Sequence, residues 1–381
     1  LILGHSHPVV VEAAEKAIRT GTVYAIAHEK EVRLAELMVD AIPCAERVAF
    51  VNTGTEATMQ AIKVARARTG RDRIAKFEGG YHGVHECAQV SSIMAAKMGP
   101  VEDPQSVPDT PGIPQAFVDQ VLTLSYRQKE SLDKIQKHCD ELAAVIIEPV
   151  PSSFPVDMGD YLRELRRVTS ECGVLLIFDE VISGFRLAYG GAQEYFGITP
   201  DIATYGKIMG GGFPAGAIAG SVDALQPIVT SGDPLTDYQE KLLIVGTFSG
   251  NPVTAAAGIA TLEHLREHPE IYIHIDALAD RIKREVHAFC EEEGFKFQLL
   301  GLGSWFLPFF VDAEPSGARE LGGLENLVRG EILGNYMRYH GVYLPDLHTV
   351  FISSEHTDED AETIIGVFQA SLLEMREDGL L

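Results

Sequence analysis

The chain has 381 residues, 46% of them hydrophobic, and its 31 Lys and Arg against 55 Asp and Glu leave a formal charge of −24. That apolar share excludes an intrinsically disordered chain, which combines low hydrophobicity with high charge. The acidity argues against nucleic acid and anionic membranes as partners, because both need a basic face, but not against a local pocket for a small anion.

The length allows two domains, or a large one with a smaller companion, and a core that needs no disulfide or metal. No run of eighteen apolar residues occurs, so no membrane span is expected. The five cysteines include no CxxC pair, which reads as free thiols in a reducing cytoplasm. The first residues, Leu1-Ile-Leu-Gly-His-Ser-His-Pro8, lack Met and read as the middle of a fold element, so a preceding segment is expected.

In chain order, Arg47–Val51 reads as a strand and Glu56–Arg68 as a helix. Strands follow at Arg73–Phe77, Leu142–Ile147 and Val174–Phe178, with a helix over Tyr161–Glu171 between the last two. This alternation predicts an α/β fold with a mainly parallel sheet flanked by helices. Ala143–Ile147 lacks polar alternation, as a strand buried on both faces does. The stretch Ala95–Gln120 reads as a long irregular loop. After Asn251-Pro252 the texture changes to helices over 253–267, 275–293, 326–340 and 359–374, with a strand at 304–311. The expected division is a cofactor domain over 47–251, a smaller α+β domain over 252–381, and residues 1–46 packing with the smaller one as a truncated N-terminal part.

Three segments carry chemistry. Asn52-Thr-Gly-Thr-Glu-Ala57 follows a strand and opens a helix, so the backbone N–H groups near Thr53, Gly54 and Thr55 suit a phosphate. An ordinary N-cap would use the same residues. Asp179 ends a buried strand, where ligands of open α/β sheets sit, and a carboxylate there can pair with a cationic atom. It could equally cap the next turn. Lys207 follows a short strand and precedes three glycines, Gly210 to Gly212, an apolar setting unusual for a surface lysine. Burial would lower its pKa and make it a nucleophile. A Walker loop is not matched. Phosphate cradle, ring-nitrogen carboxylate and Schiff-base lysine together suit pyridoxal 5′-phosphate, with Tyr81 able to supply an aromatic face.

The ordered set of motifs resembles the class III, fold type I aminotransferases, closest to the glutamate-1-semialdehyde aminomutase subgroup. It comprises Phe50-Val-Asn-Thr-Gly-Thr-Glu-Ala-Thr-Met59, Phe77-Glu-Gly-Gly-Tyr-His-Gly83, Ile147-Glu-Pro149, Leu176-Ile-Phe-Asp-Glu-Val-Ile-Ser-Gly-Phe-Arg186, Gly206-Lys-Ile-Met-Gly-Gly-Gly212, Gly246-Thr-Phe-Ser-Gly-Asn-Pro252 and His356-Thr-Asp358. The resemblance implies that Lys207 carries the Schiff base and shuttles a proton, and that Asp179 pairs with the pyridinium nitrogen. It implies Val181 and Tyr81 on opposite ring faces, Gly54 and Thr55 on the phosphate, and Thr53, His82 and Glu148 in the cofactor set. Thr247 would reach the phosphate of a neighbouring subunit in a homodimer. The pyridoxamine form would be the half-reaction partner.

Departures fall in the substrate region. Gly21-Thr-Val-Tyr24 places Val23 where the subgroup has serine, with Tyr24 beside it. Pro151-Ser-Ser153 replaces Ala-Gly-Asn, and Pro345-Asp-Leu-His-Thr-Val-Phe351 puts His348 near the position of a glutamate. Val23, Tyr24, Ser153 and His348 are therefore the substrate candidates, although His348 also reads as a plain loop histidine. A less polar pocket favours an aminotransferase using an amino donor and a keto or aldehyde acceptor. The aminomutase itself and an aminotransferase domain of a polyketide or peptide synthetase stay open, as do a decarboxylase, a racemase and a cofactor-binding sensor.

Overall fold

The computed structural model describes residues 1–24, 26–92, 98–321, 323–345 and 349–381. Contacts divide the chain into two units, one of residues 1, 5–149 and 158–268 and one of 2–4, 150–157 and 269–381.

The first unit is an α/β layer structure. Its strands are β1 (Arg47–Val51), β2 (Arg73–Phe77), β3 (Val121–Leu124), β4 (Leu142–Ile147), β5 (Leu175–Asp179), β6 (Ile202–Gly206) and β7 (Gly216–Gly220). They form one sheet in the order β1-β7-β6-β5-β4-β2-β3. Pairing is parallel from β6 through β3, and only β7 runs against its neighbours. All six residues of β4 are buried, as a strand covered on both faces requires. The helices of this unit are α1 (Pro8–Ile18), α2 (Glu29–Ala41), α3 (Gly54–Thr69), α4 (Gln115–Val118), α5 (Lys129–Lys137), α6 (Gly159–Cys172), α7 (Gly191–Phe196), α8 (Pro234–Glu240) and α9 (Pro252–Glu267). α3 lays Ala57, Ala61, Val64 and Ala65 on the core shared with Ala144, Ile146, Ile177 and Ile218. Those small side chains let the helix come close to the sheet, which fixes where its amino end sits. Within 98–120 the expected irregular loop contains the one-turn α4 and a bridge from Val90 to Pro108.

The second unit contains α10 (Glu270–Glu293), β8 (Gln298–Leu300), β9 (Trp305–Phe309), α11 (Gly323–Tyr339), β10 (Val350–Phe351) and α12 (Asp358–Glu377). Its strands form an antiparallel sheet ordered β10-β9-β8. The His356-Thr-Asp358 motif is structural here. Thr357 caps α12, and Asp360 returns the bond to the Thr357 backbone N–H at 2.8 Å.

The expected divisions after Glu46 and Asn251 are not the ones the contacts draw. Residues 5–46 and α9 belong with the large sheet. Ala14 and Ala17 of α1 pack on Val253 and Ala256 of α9, and Arg33 of α2 reaches Glu263 of α9 at 2.8 Å. Small apolar side chains carry this packing, and they gave no periodic signal strong enough to assign a partner. Of the N-terminal residues only 2–4 join the second unit, where Ser354 N donates to Ile2 O at 2.9 Å. Among the described residues no helix is long and apolar enough to cross a membrane.

Candidate active site

β1, β2, β4, β5 and β6 all point the same way, so the residues just beyond their carboxyl ends converge. These residues are Thr53–Thr55 after β1, Tyr81–Gly83 after β2, Glu148 after β4, Asp179 at the end of β5 and Lys207 after β6. Together with Val181, Phe213 and Pro214 they line one cavity of about 340 Å³.

Asp179 is buried and held by three donors. His82 Nδ1 lies 2.8 Å from Oδ2, Thr204 Oγ1 lies 3.0 Å from Oδ1, and the Val181 N–H lies 3.2 Å from Oδ1. A carboxylate only accepts, so the His82 proton must sit on Nδ1. Burial lowers the His82 pKa, against the pull of Asp179, which leaves the imidazole neutral. Its Nε2 is then an acceptor, and it has no partner. Asp179 is thus fixed from three directions on the wall of the cavity.

Lys207 has φ +47°, a left-handed conformation that costs a side-chain-bearing residue roughly 1–3 kcal/mol. It opens a one-turn 3₁₀ segment, Lys207–Gly210, straight after β6. Strain of this kind persists where the surroundings dictate it, and functional sites are where it collects. Burial lowers the lysine pKa, while the carboxylates of Asp179 and Glu148 raise it. The net direction is down, so a larger fraction of the amine is neutral than in an ordinary lysine.

α3 supplies the opposite wall. Thr53 Oγ1 accepts from Glu56 N at 3.1 Å, and Glu56 Oε2 accepts from Asn52 N at 2.5 Å. The ordinary capping role of Thr53 is therefore real, and it takes up the Glu56 N–H, while the N–H groups of Gly54 and Thr55, at the first helical positions, have no carbonyl partner within the helix. A Cβ on Gly54 would fall 2.9 Å from Val181 Cγ1, so only glycine leaves the space between them. Glu148 Oε2 accepts from the Tyr81 N–H at 2.9 Å, which positions the half-exposed Tyr81 ring at the cavity mouth.

A family model for class-III aminotransferases matches residues 1–315. The chain belongs to the class III aminotransferase family. It is 40% identical over 377 residues, 97% of this chain and 85% of the relative, to a glutamate-1-semialdehyde 2,1-aminomutase of Methanosarcina acetivorans. Among solved structures it resembles an omega-transaminase from Sphaerobacter thermophilus, at TM-score 0.93 and 35% identity, covering 99% of this chain and 85% of that one. A transaminase with pyridoxal phosphate bound matches at TM-score 0.86 and 29% identity, covering 100% of this chain and 86% of that one.

The family's cofactor is pyridoxal phosphate, and these residues fit it. A helix amino end with free N–H groups suits the phosphate, a buried anion suits a pyridinium nitrogen, and a partly neutral lysine suits the aldehyde. The space beside Gly54 and the walls of Val181 and Tyr81 suit a flat ring.

Not every expected residue lies here. Val23, Tyr24 and Thr247 line a separate cavity of about 850 Å³ in the same unit, with Phe50, Leu242 and Gly246. Ser153 belongs to the second unit. His348 falls outside the described residues. Thr204 is absent from the set the sequence singles out. Its signal was one of the two hydroxyls, with that of Tyr205, in the fully buried β6, each of which must find a partner.

Proposed function

We propose that the chain is a pyridoxal-phosphate-dependent transaminase that moves an amino group from an amino donor to a keto or aldehyde acceptor. The observation that carries this reading is Lys207, held in a left-handed conformation on one cavity wall and facing the three-donor carboxylate of Asp179. Bound there, the cofactor supplies an electron sink for the pair left when a substrate C–H bond breaks. Asp179 holds the proton at the ring nitrogen that this sink needs. Lys207 Nζ would anchor the cofactor, and its amine would be the base that takes the substrate proton and returns it two bonds away, across the nitrogen. The N–H groups of Gly54 and Thr55 bind the phosphate, and Tyr81 and Val181 clamp the ring. His82 and Thr204 orient Asp179.

We also read the protein as a homodimer. Leu243, Val245 and Phe248, beside Thr247, are 68%, 71% and 59% exposed, an apolar edge suited to burial against a second copy. Thr247 would then serve the partner's phosphate.

One alternative has its own support. The curated relatives at 37–40% identity are named glutamate-1-semialdehyde aminomutases, which favours that isomerase more directly than a transaminase. Val23 and Pro151-Ser-Ser153, where that subgroup carries serine and Ala-Gly-Asn, weigh the other way. The deciding experiment offers single substrates to the purified holoenzyme. A transaminase converts to its pyridoxamine form with a simple or β-amino donor and returns with a keto acid. Turnover of glutamate-1-semialdehyde without any external donor, and no conversion by other amines, would overturn the transaminase reading.

A further inference from the structure

The cavity lies at the carboxyl ends of the parallel strands. Their amino ends, on the opposite edge of the sheet, carry a second feature. Cys139 sits in the turn from α5 into β4, and Cys172 is the last residue of α6 before β5. β4 and β5 are paired neighbours with Ala144 opposite Leu175, so these two turns enter strands only about 4.8 Å apart. Arg71, in the turn before β2, ties them together. Its Nη1 donates to Leu142 O at 3.1 Å and to Gly173 O at 2.8 Å. Gly173 takes φ +59°, which ends α6 abruptly and keeps Cys172 in the turn. The two thiols adjoin each other, neither is in a disulfide, both are half-buried, and the Cys139 thiol donates to Asp140 Oδ1 at 4.0 Å. Cys44, Cys87 and Cys290 are buried instead.

We propose that Cys139 and Cys172 form a dithiol site that closes to an intramolecular disulfide by exchange with a low-molecular-weight disulfide. The first thiolate attacks one sulfur of the small disulfide, forms a mixed disulfide and expels one thiolate. The second protein thiolate then attacks the protein sulfur of that mixed disulfide and expels the other. The two protein thiols are oxidised by two electrons, the small disulfide is reduced to two thiols, and the two protons travel with them. Burial, and then the adjacent Cys139, raise the Cys172 thiol above its ordinary value. Either thiol can open the exchange, and the other resolves it. The closed bond staples together the turns feeding β4 and β5, the strands that present Glu148 and Asp179 at their far ends.

The test incubates purified holoenzyme with oxidised glutathione, quenches it in acid and counts thiols under denaturing conditions. The count should fall from the five cysteines of the chain to three. A peptide map should contain a Cys139–Cys172 linked pair, and dithiothreitol should restore five thiols. Cys139→Ser and Cys172→Ser should each lose the linked peptide, and each should retain a glutathione adduct at the remaining cysteine of the pair. An unchanged count of five overturns the proposal. So does a wild-type protein that retains the glutathione adduct at either cysteine of the pair without forming the linked peptide.

Discussion

Two cavities of the first unit are built on different terms. In the smaller one, at the carboxyl ends of the strands, the two carboxylates are tied to groups of the same chain. Asp179 has three donors and Glu148 holds the Tyr81 N–H. In the larger one, around Val23, Tyr24 and Thr247, the lining residue Val245 is exposed, as are Leu243 and Phe248 near it in the chain. A reacting group has to be fixed before its ligand arrives, because a side chain that must first be ordered loses binding and rate. An open apolar wall meets the opposite condition and gains by being covered. The difference teaches that the proposed reaction centre is preorganised by one chain, whereas the proposed second copy completes its surroundings.

The largest expected effect breaks the smaller cavity. Lys207→Ala should remove the absorption that borohydride abolishes and lower amino transfer by about 10⁴-fold, since both anchor and proton carrier are lost. Activity within tenfold of wild type would place the reaction centre elsewhere. Asp179→Asn comes next, with a loss of about 10³-fold but retained cofactor, because the amide keeps the shape and gives up the charge. This variant also has a pH signature. Burial lowers the Lys207 pKa and the Asp179 carboxylate opposes that fall. Removing the carboxylate leaves burial less opposed, so the neutral amine should form at lower pH. The pH midpoint for cofactor uptake by the apoprotein should therefore move down in Asp179→Asn. An upward movement would contradict the electrostatic account of this wall.

What the sequence made legible follows the same contrast. Strands β4 and β5 were readable because burial on both faces leaves continuous apolar runs, β1 and β2 as short apolar-rich segments, and α3 and α6 because helical spacing marks the covering layer. Lys207, Asp179 and Gly54 were readable because each is chemically out of place, a charge among glycines, a charge ending a buried strand, or a glycine opening a helix. The antiparallel β7 was not readable, since Gly216–Gly220 is a run of small residues with little strand signature. Nor was the attachment of α1 and α2 to α9, which rests largely on alanine contacts and one long-range ion pair. His82 was readable as a member of the set but not as the proton donor to Asp179, because the two are 97 residues apart and only the sheet order brings them together.

The smallest effect sharpens the comparison most. Thr247→Ala removes one hydroxyl from the larger cavity and should weaken cofactor retention by about tenfold, the scale of one hydrogen bond to a charged group. Loss of affinity alone does not say whose phosphate Thr247 serves, but a mixed dimer does. Subunits carrying Lys207→Ala contribute an intact Thr247, and subunits carrying Thr247→Ala contribute an intact Lys207. If Thr247 acts across the interface, each mixed dimer holds one site with both residues, and that site should turn over with wild-type cofactor affinity. If Thr247 acts within its own subunit, the only sites retaining Lys207 also lack the hydroxyl, and the mixture should show only the weakened affinity of the Thr247→Ala homodimer. Titration of cofactor into the purified mixed dimer, read by amino transfer, separates the two. The second result would tie Thr247 to the site of its own subunit and leave the exposed apolar residues beside it with no part in catalysis.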